Sequence, residues 1–402
     1  ATKVSAPLWS RHSLCPPRSA PPQLSAAHFV GDARPELIAR CTRRVVVLAS
    51  RSAPRGSGRR GLVERLLSLH ALDPESREED AVQITDFHVG DLDGDAAPDA
   101  VAAMLRLGGD DASAEGRLHW VRQVRPGVFA RRRTLTRRAV SVMTLAQLDT
   151  RPGLDVAALP LADLRSGDTS RELTLVAGGR RPRISGALAL TEAGLAVAAA
   201  DLNRDGHMDL LVLGSEGRQL LWLRAQADSG FAAAEVLPLA CAAQHLRVAD
   251  VDGDSAADVL LACERRLLLW RARRGALESE SLAIGSPIVT LVASDVDLDG
   301  VAEVLLLHPQ GISAVTYRAS QLRRHTPTLR FGNFGFRPHA LTVADFDGDG
   351  RSDLALAGEQ KGDEGWQLWL IASAFPPRPL PNTLPDLQPI AAAPLSIEVP
   401  LR

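Results

Sequence analysis

Five segments of this chain place oxygen-bearing side chains at positions 1, 3, 5 and 9 of a nine-residue stretch. No other feature limits the fold as much. The sets are Asp91, Asp93, Asp95 and Asp99; Asp201, Asn203, Asp205 and Asp209; Asp250, Asp252, Asp254 and Asp258; Asp295, Asp297, Asp299 and Glu303; and Asp345, Asp347, Asp349 and Asp353. With 48 acidic residues in 402, chance supplies roughly 0.1 such matches, so the five form a series. Two degenerate copies complete it. Residues 147–155 keep Asp149 and Asp155 but carry Arg151 at position 5, and residues 28–36 keep only Asp32 and Glu36. The copies start at 28, 91, 147, 201, 250, 295 and 345, about fifty residues apart.

Each copy sits in the same surroundings. A short apolar run precedes it, as in Leu246 to Ala249 or Leu341 to Ala344, and a stronger one follows, as in Leu210–Leu213, Val259–Ala262 and Val304–Leu307. A turn then leads to a third run (Gln219–Leu223, Arg266–Trp270, Gln367–Leu370). A weaker fourth follows, such as Phe231 to Leu237 or Ala276 to Leu282. Runs of four to six residues between turn signals read as strands. Four strands per fifty-residue repeat predict the blades of an all-β, seven-bladed β-propeller of four-stranded antiparallel sheets, in which ring closure leaves few exposed edges. The expected organisation is a Pro-rich extension over 1–23, the propeller over 24–375 and a second Pro-rich extension over 376–402. A terminal strand, Val4–Trp9 or Leu395–Val399, is available to close the ring.

Asp345-Phe-Asp-Gly-Asp-Gly-Arg-Ser-Asp-Leu-Ala-Leu-Ala and its sister copies resemble the FG-GAP and VCBS repeats of integrin-type propellers and many bacterial surface proteins. Phe331-Gly332 and Phe334-Gly335 add a Phe-Gly element ahead of the last copy. The resemblance implies a propeller and bound metal. As to role, it leaves open adhesion modules, lectin-like domains, assembly subunits and sugar-active enzymes.

Oxygen side chains at alternate positions of a tight turn point toward one centre. With a carbonyl near position 7 and water they complete the six-to-eight oxygen shell of Ca²⁺, whereas Mg²⁺ keeps its waters and transition metals favour softer ligands. About five Ca²⁺ ions are expected, one per full loop. The helical EF-hand is excluded, because its bidentate Glu at position 12 is replaced by Ala102, Val212, Leu261, Leu306 or Leu356. His207 falls at position 7, which offers its carbonyl. In the third copy, Arg151 stands as a built-in substitute for the ion.

The formal charge of −2 hides an asymmetry. Apart from the 19 loop carboxylates, 46 basic residues face 29 acidic ones, a surplus of 17. Arginines gather at 131–133 with 137–138, at 180–181, and at 265–266 with 271, 273 and 274, positions expected in or beside outer strands. They serve as solvated edges or as a contact for an acidic protein, glycan or lipid surface. Aromatics at 4% argue against a stacking platform for nucleic acid, and no apolar run is long enough for a membrane helix.

Four cysteines, a chain starting at Ala1 rather than Met, and loops that need calcium above cytosolic levels point outside the cytoplasm. Cys241 and Cys263 flank the fifth copy's hairpin and are candidates for a disulfide, with Cys15 and Cys41 as the other pair. His88 and Arg247, each three residues before a loop, are placed along inner strands near the central channel. No catalytic motif occurs. The expected function is a non-catalytic binding or scaffold propeller for protein partners, as an accessory subunit of a larger complex. Lectin-like binding of acidic glycans and a polysaccharide lyase are the alternatives.

Overall fold

The computed structural model describes residues 13–15, 20–29, 34–51, 61–67, 81–107, 114–130, 132–161, 170–227, 230–273, 276–309, 311–318, 321–330, 336–360 and 366–371. Their regular elements are all strands, and among the described residues no helix is long and apolar enough to cross a membrane. The strands form seven four-stranded antiparallel sheets. The fifth blade shows the pattern. Ala243–Ala249 pairs with Asp258–Cys263 around the acidic loop, that strand pairs with Arg266–Arg273, and Ala276–Ala283 forms the outer edge. The inner strands of the seven blades are Gln23–Ala27, Ala81–Gly90, Val140–Ala146, Gly194–Ala200, Ala243–Ala249, Thr290–Ser294 and Phe336–Ala344.

The second strands explain why the sheets stack into a ring. Val259 to Cys263 are all buried, with no polar face. Val259, Leu261 and Cys263 pack toward blade 4, beside Leu211 and Trp222. Leu260 and Ala262 pack toward blade 6, beside Leu291 and Leu306. Alternate residues of a strand face opposite sides of its sheet, so a strand apolar on both faces needs a neighbour on each. The same holds around the molecule: each apolar cluster joins one pair of adjacent blades, and the last joins blade 7 to blade 1. Outer strands are wetter, as in the mostly exposed Arg183–Ala189.

The ring is closed by the N-terminal strand Ser13–Cys15, which pairs with Trp366–Ile371 as the fourth strand of blade 7. This strand falls inside the segment expected as an extension; Val4–Trp9, Leu395–Val399 and the Phe-Gly pairs lie outside the described residues. Cys15 is disulfide-bonded to Cys41, just past the second strand of blade 1, so a covalent bond spans the seam between the first and last blades. The second disulfide, Cys241–Cys263, ties the entry of blade 5 to the end of its second strand. Among the described cysteines none is free.

Candidate metal centres in the blade loops

Every acidic loop joins the first strand of a blade to its second, so all lie on one face of the ring. Within each, the position-1 carboxylate is wrapped by backbone amides. Asp345 accepts from the amides of Gly348 (2.6 Å), Asp349 (3.1 Å) and Gly350 (2.9 Å); Asp250 and Asp91 accept from the same three positions. Turning three successive amides inward requires left-handed backbone at positions 4 and 6. That is where Gly94, Arg204, Gly253, Leu298 and Gly348, then Ala96, Gly206, Ser255, Gly300 and Gly350, have positive φ. Glycine adopts this region at little cost, and at least one glycine is present at these two positions in each loop. The position-5 carboxylate then accepts the position-7 amide, as Asp205 does from His207, a half-buried residue, at 2.8 Å.

The position-9 carboxylate has a second function. Asp99 is fully buried and ties three donors together: Leu92 N (3.2 Å) and Trp120 Nε1 (2.8 Å) at Oδ2, and Gln123 N (2.8 Å) at Oδ1. Asp209 does likewise with Trp222 Nε1 and Ala225 N, and Asp258 with Val251 N and Ala272 N. It thus clamps the loop to the third strand of its own blade. The clamp persists at 147–155, where Asp155 accepts from Leu148 N, Asp149 N and Gly178 N, and at 28–36 Glu36 keeps the bond within the loop, from Phe29 N. Position 9 is acidic in all seven copies, and that is the sequence signal for this role.

In four loops three acids bring ligand oxygens within 4.8 Å of one another: Asp91, Asp93 and Asp99; Asp250, Asp252 and Asp254; Asp295, Asp297 and Asp299; Asp345, Asp347 and Asp353. No such trio forms at 201–209, where Asn203 Nδ2 donates to Asp205 Oδ2 at 2.8 Å. Within the gathered loops, buried oxygens lack a hydrogen-bond partner: Oδ1 of Asp93 and both oxygens of Asp297. Buried carboxylate oxygens without donors are costly unless a cation meets them. The all-oxygen donor set fits a hard divalent ion, and these residues can hold one. At 147–155 a cation is supplied by the chain itself: the Arg151 guanidinium is paired with Asp149.

Three further arginines reach the loops and escape a reading by repeat position. Arg122 pairs with Asp93 (2.5 Å) and Asp95 (2.7 Å), Arg318 with Asp299, and Arg271 with Glu278 (3.2 Å) and, more distantly, Asp252 (3.9 Å). Arg271 sits on the third strand, beside the outer one, and is nearly buried, with its guanidinium over the Tyr317 ring. In register, Arg122, Arg224 and Arg271 all oppose the position-9 acid, marked by Trp-Val-Arg, Trp-Leu-Arg and Trp-Arg at the end of the third strand. The loops also touch one another. Arg204 pairs with Asp254 of the next loop at 2.5 Å, and the Ala302 amide donates to the Asp250 carbonyl at 2.9 Å.

Burial, assisted by neighbouring carboxylates, pushes Asp99 up to about 6, and Asp258 and Glu303 up to about 7. In the unfolded chain such groups titrate near 4. Folding thus favours their protonated forms, a contribution present below about pH 4 and lost as pH rises through 6 to 7. Protein stripped of metal on a chelating resin is expected to melt higher at pH 5.5 than at pH 8. A melting temperature that instead rises with pH in calcium-free buffer would contradict this.

A ring of seven four-stranded blades with acidic first hairpins defines a β-propeller with candidate cation-binding loops. A profile of the FG-GAP-like repeat matches residues 201–261 and 295–356, two stretches that each begin on one of these loops. The chain is a seven-bladed β-propeller that carries FG-GAP-like repeats over those two stretches. No curated protein matches it by sequence. Among solved structures, BBS1N in complex with ARL6DN is similar over 92% of this chain and 98% of that chain, with a TM-score of 0.57 and 12% identity. A lectin from Agrocybe aegerita, described as recognising non-reducing terminal N-acetylglucosamine, is similar over 85% of this chain and 92% of its own, with a TM-score of 0.55 and 14% identity. At these identities the likeness is one of fold.

Proposed function

We propose that this protein is a non-catalytic propeller, stabilised by calcium in its blade loops, that works outside the cytoplasm as a binding or scaffolding module for protein partners. The unpartnered oxygens of Asp93 and Asp297 support the calcium sites, and two disulfides fit an oxidising compartment. The partner-binding reading rests on Leu298. This residue occupies position 4 of its loop, is 59% exposed, and adopts φ 63° where three sister loops use glycine. A branched apolar side chain there costs about 1–2 kcal/mol in backbone strain and leaves most of its surface in solvent. The same face presents Met208 and the hairpin residues Val124 and Val128, which are also exposed. Apolar side chains held out on a rigid ring of loops suit a protein surface.

Leu298→Gly tests this. The variant is expected to be as stable as the parent or up to about 1 kcal/mol more so, while losing the chains that co-purify with the native protein. Retained partners in Leu298→Gly, together with selective binding to a glycan array, would shift the assignment to a lectin.

A further inference from the structure

Among the described residues, the cationic groups His88, Arg247 and Arg40 outnumber the one carboxylate, Asp86, whose field they share at the axial channel. Inner strands of adjacent blades pack against one another around the axis, and His88 and Arg247 occupy the same height, each three residues before its loop, on blades 2 and 5. Arg247 is exposed to the channel, yet among the described residues it forms no ion pair; its Nη1 donates only to the Leu246 carbonyl at 2.7 Å. Its charge nevertheless acts on both His88 and Asp86 across the axis. His88 Nε2 lies 3.3 Å from Asp86 Oδ2, a carboxylate already occupied by the amides of Phe87 (2.9 Å) and Met143 (2.7 Å). The Nδ1 atom of His88 has no hydrogen bond among the described residues. A third cation, Arg40, shares the field of Asp86 and donates to the Ile84 carbonyl at 2.5 Å.

We propose that Arg247 and His88 form a binding site for a small oxyanion, a carboxylate or a sulfate group, in the axial channel. Three cationic groups surround one carboxylate, and that carboxylate is committed to two amides and the imidazole. An entering anion therefore meets unspent guanidinium donors in a partly desolvated channel, where charge-assisted hydrogen bonds are strongest. Arg40 also lines a largely apolar cavity of 260 Å³ with Gln83, Thr85 and Ser141, at the face opposite the loops. Burial opposes charge on His88, but the Asp86 carboxylate outweighs it together with the repulsion from Arg40 and Arg247, and holds the imidazole above its ordinary range. His245, two residues from Arg247, is driven the other way by burial and by that same arginine.

The test is calorimetry on the intact calcium-loaded protein with sodium sulfate and sodium glucuronate, at constant ionic strength and with glucose as a neutral control. Binding of one or both anions is expected, tighter at pH 6 than at pH 8.5, with at least tenfold weakening in Arg247→Gln and partial retention in Arg247→Lys. His88→Gln is expected to bind weakly at both pH values, without the pH dependence. Both anions binding marks a general oxyanion site, and glucuronate alone marks a carboxylate site. No heat from either anion up to 20 mM, or binding by a folded Arg247→Gln as tight as that of the parent, would overturn the proposal.

Discussion

Transfer of the intact protein from millimolar calcium into excess EGTA at pH 7.5 is expected to lower its melting temperature by on the order of 10 °C. An ion that binds only the folded state at a hundred times its dissociation constant contributes about 2.7 kcal/mol. Four gathered loops thus supply about 10 kcal/mol. For a chain of 402 residues, the unfolding entropy of about 2 cal/mol/K per residue converts that to roughly 10 °C or slightly more. Asp297→Asn makes the claim sharper, because both oxygens of Asp297 are buried without donors. The variant should be less stable than the parent in calcium, where a ligand is lost, and more stable in EGTA, where an uncompensated buried charge is lost. The same sign in both buffers, or coincident melting curves for the parent, would remove calcium from the account.

The seven blades were legible because the loops punctuate the chain at a fixed interval, and because a second strand such as Val259–Ala262 is apolar on both faces. Only stacked sheets bury such a strand. What the pattern concealed was the division of labour inside the loop. Positions 1, 3, 5 and 9 look equivalent in sequence, yet Asp345 is enclosed by amides, Asp297 is buried without donors, and Asp99 is clamped to the third strand. Those differences depend on where backbone N–H groups point, and side-chain spacing carries no record of that. The arginines opposite position 9 were hidden for a related reason. Arg122 follows Asp93 by twenty-nine residues, and only strand register brings the two together. Ring closure was equally opaque, since three residues at Ser13–Cys15 show no period of their own.

The clamp predicts a stability loss that does not depend on calcium. In Asp155→Ala three half-buried amides, those of Leu148, Asp149 and Gly178, lose their acceptor. Each unsatisfied donor costs about 1–3 kcal/mol, and the sum should approach 3–5 kcal/mol after partial relaxation. Because Arg151 already compensates Asp149 in that loop, the loss is expected to be equal in calcium and in EGTA. Asp99→Ala removes the acceptor for Leu92, Trp120 and Gln123 and also one of the three gathered acids of its loop. It should therefore show the same loss in EGTA and a larger one in calcium. Denaturant melts of both variants in both buffers separate the two contributions. If Asp155→Ala were nearly neutral, the position-9 acid would have to be read as a ligand alone, and its persistence in the ion-poor copies would have no physical cause.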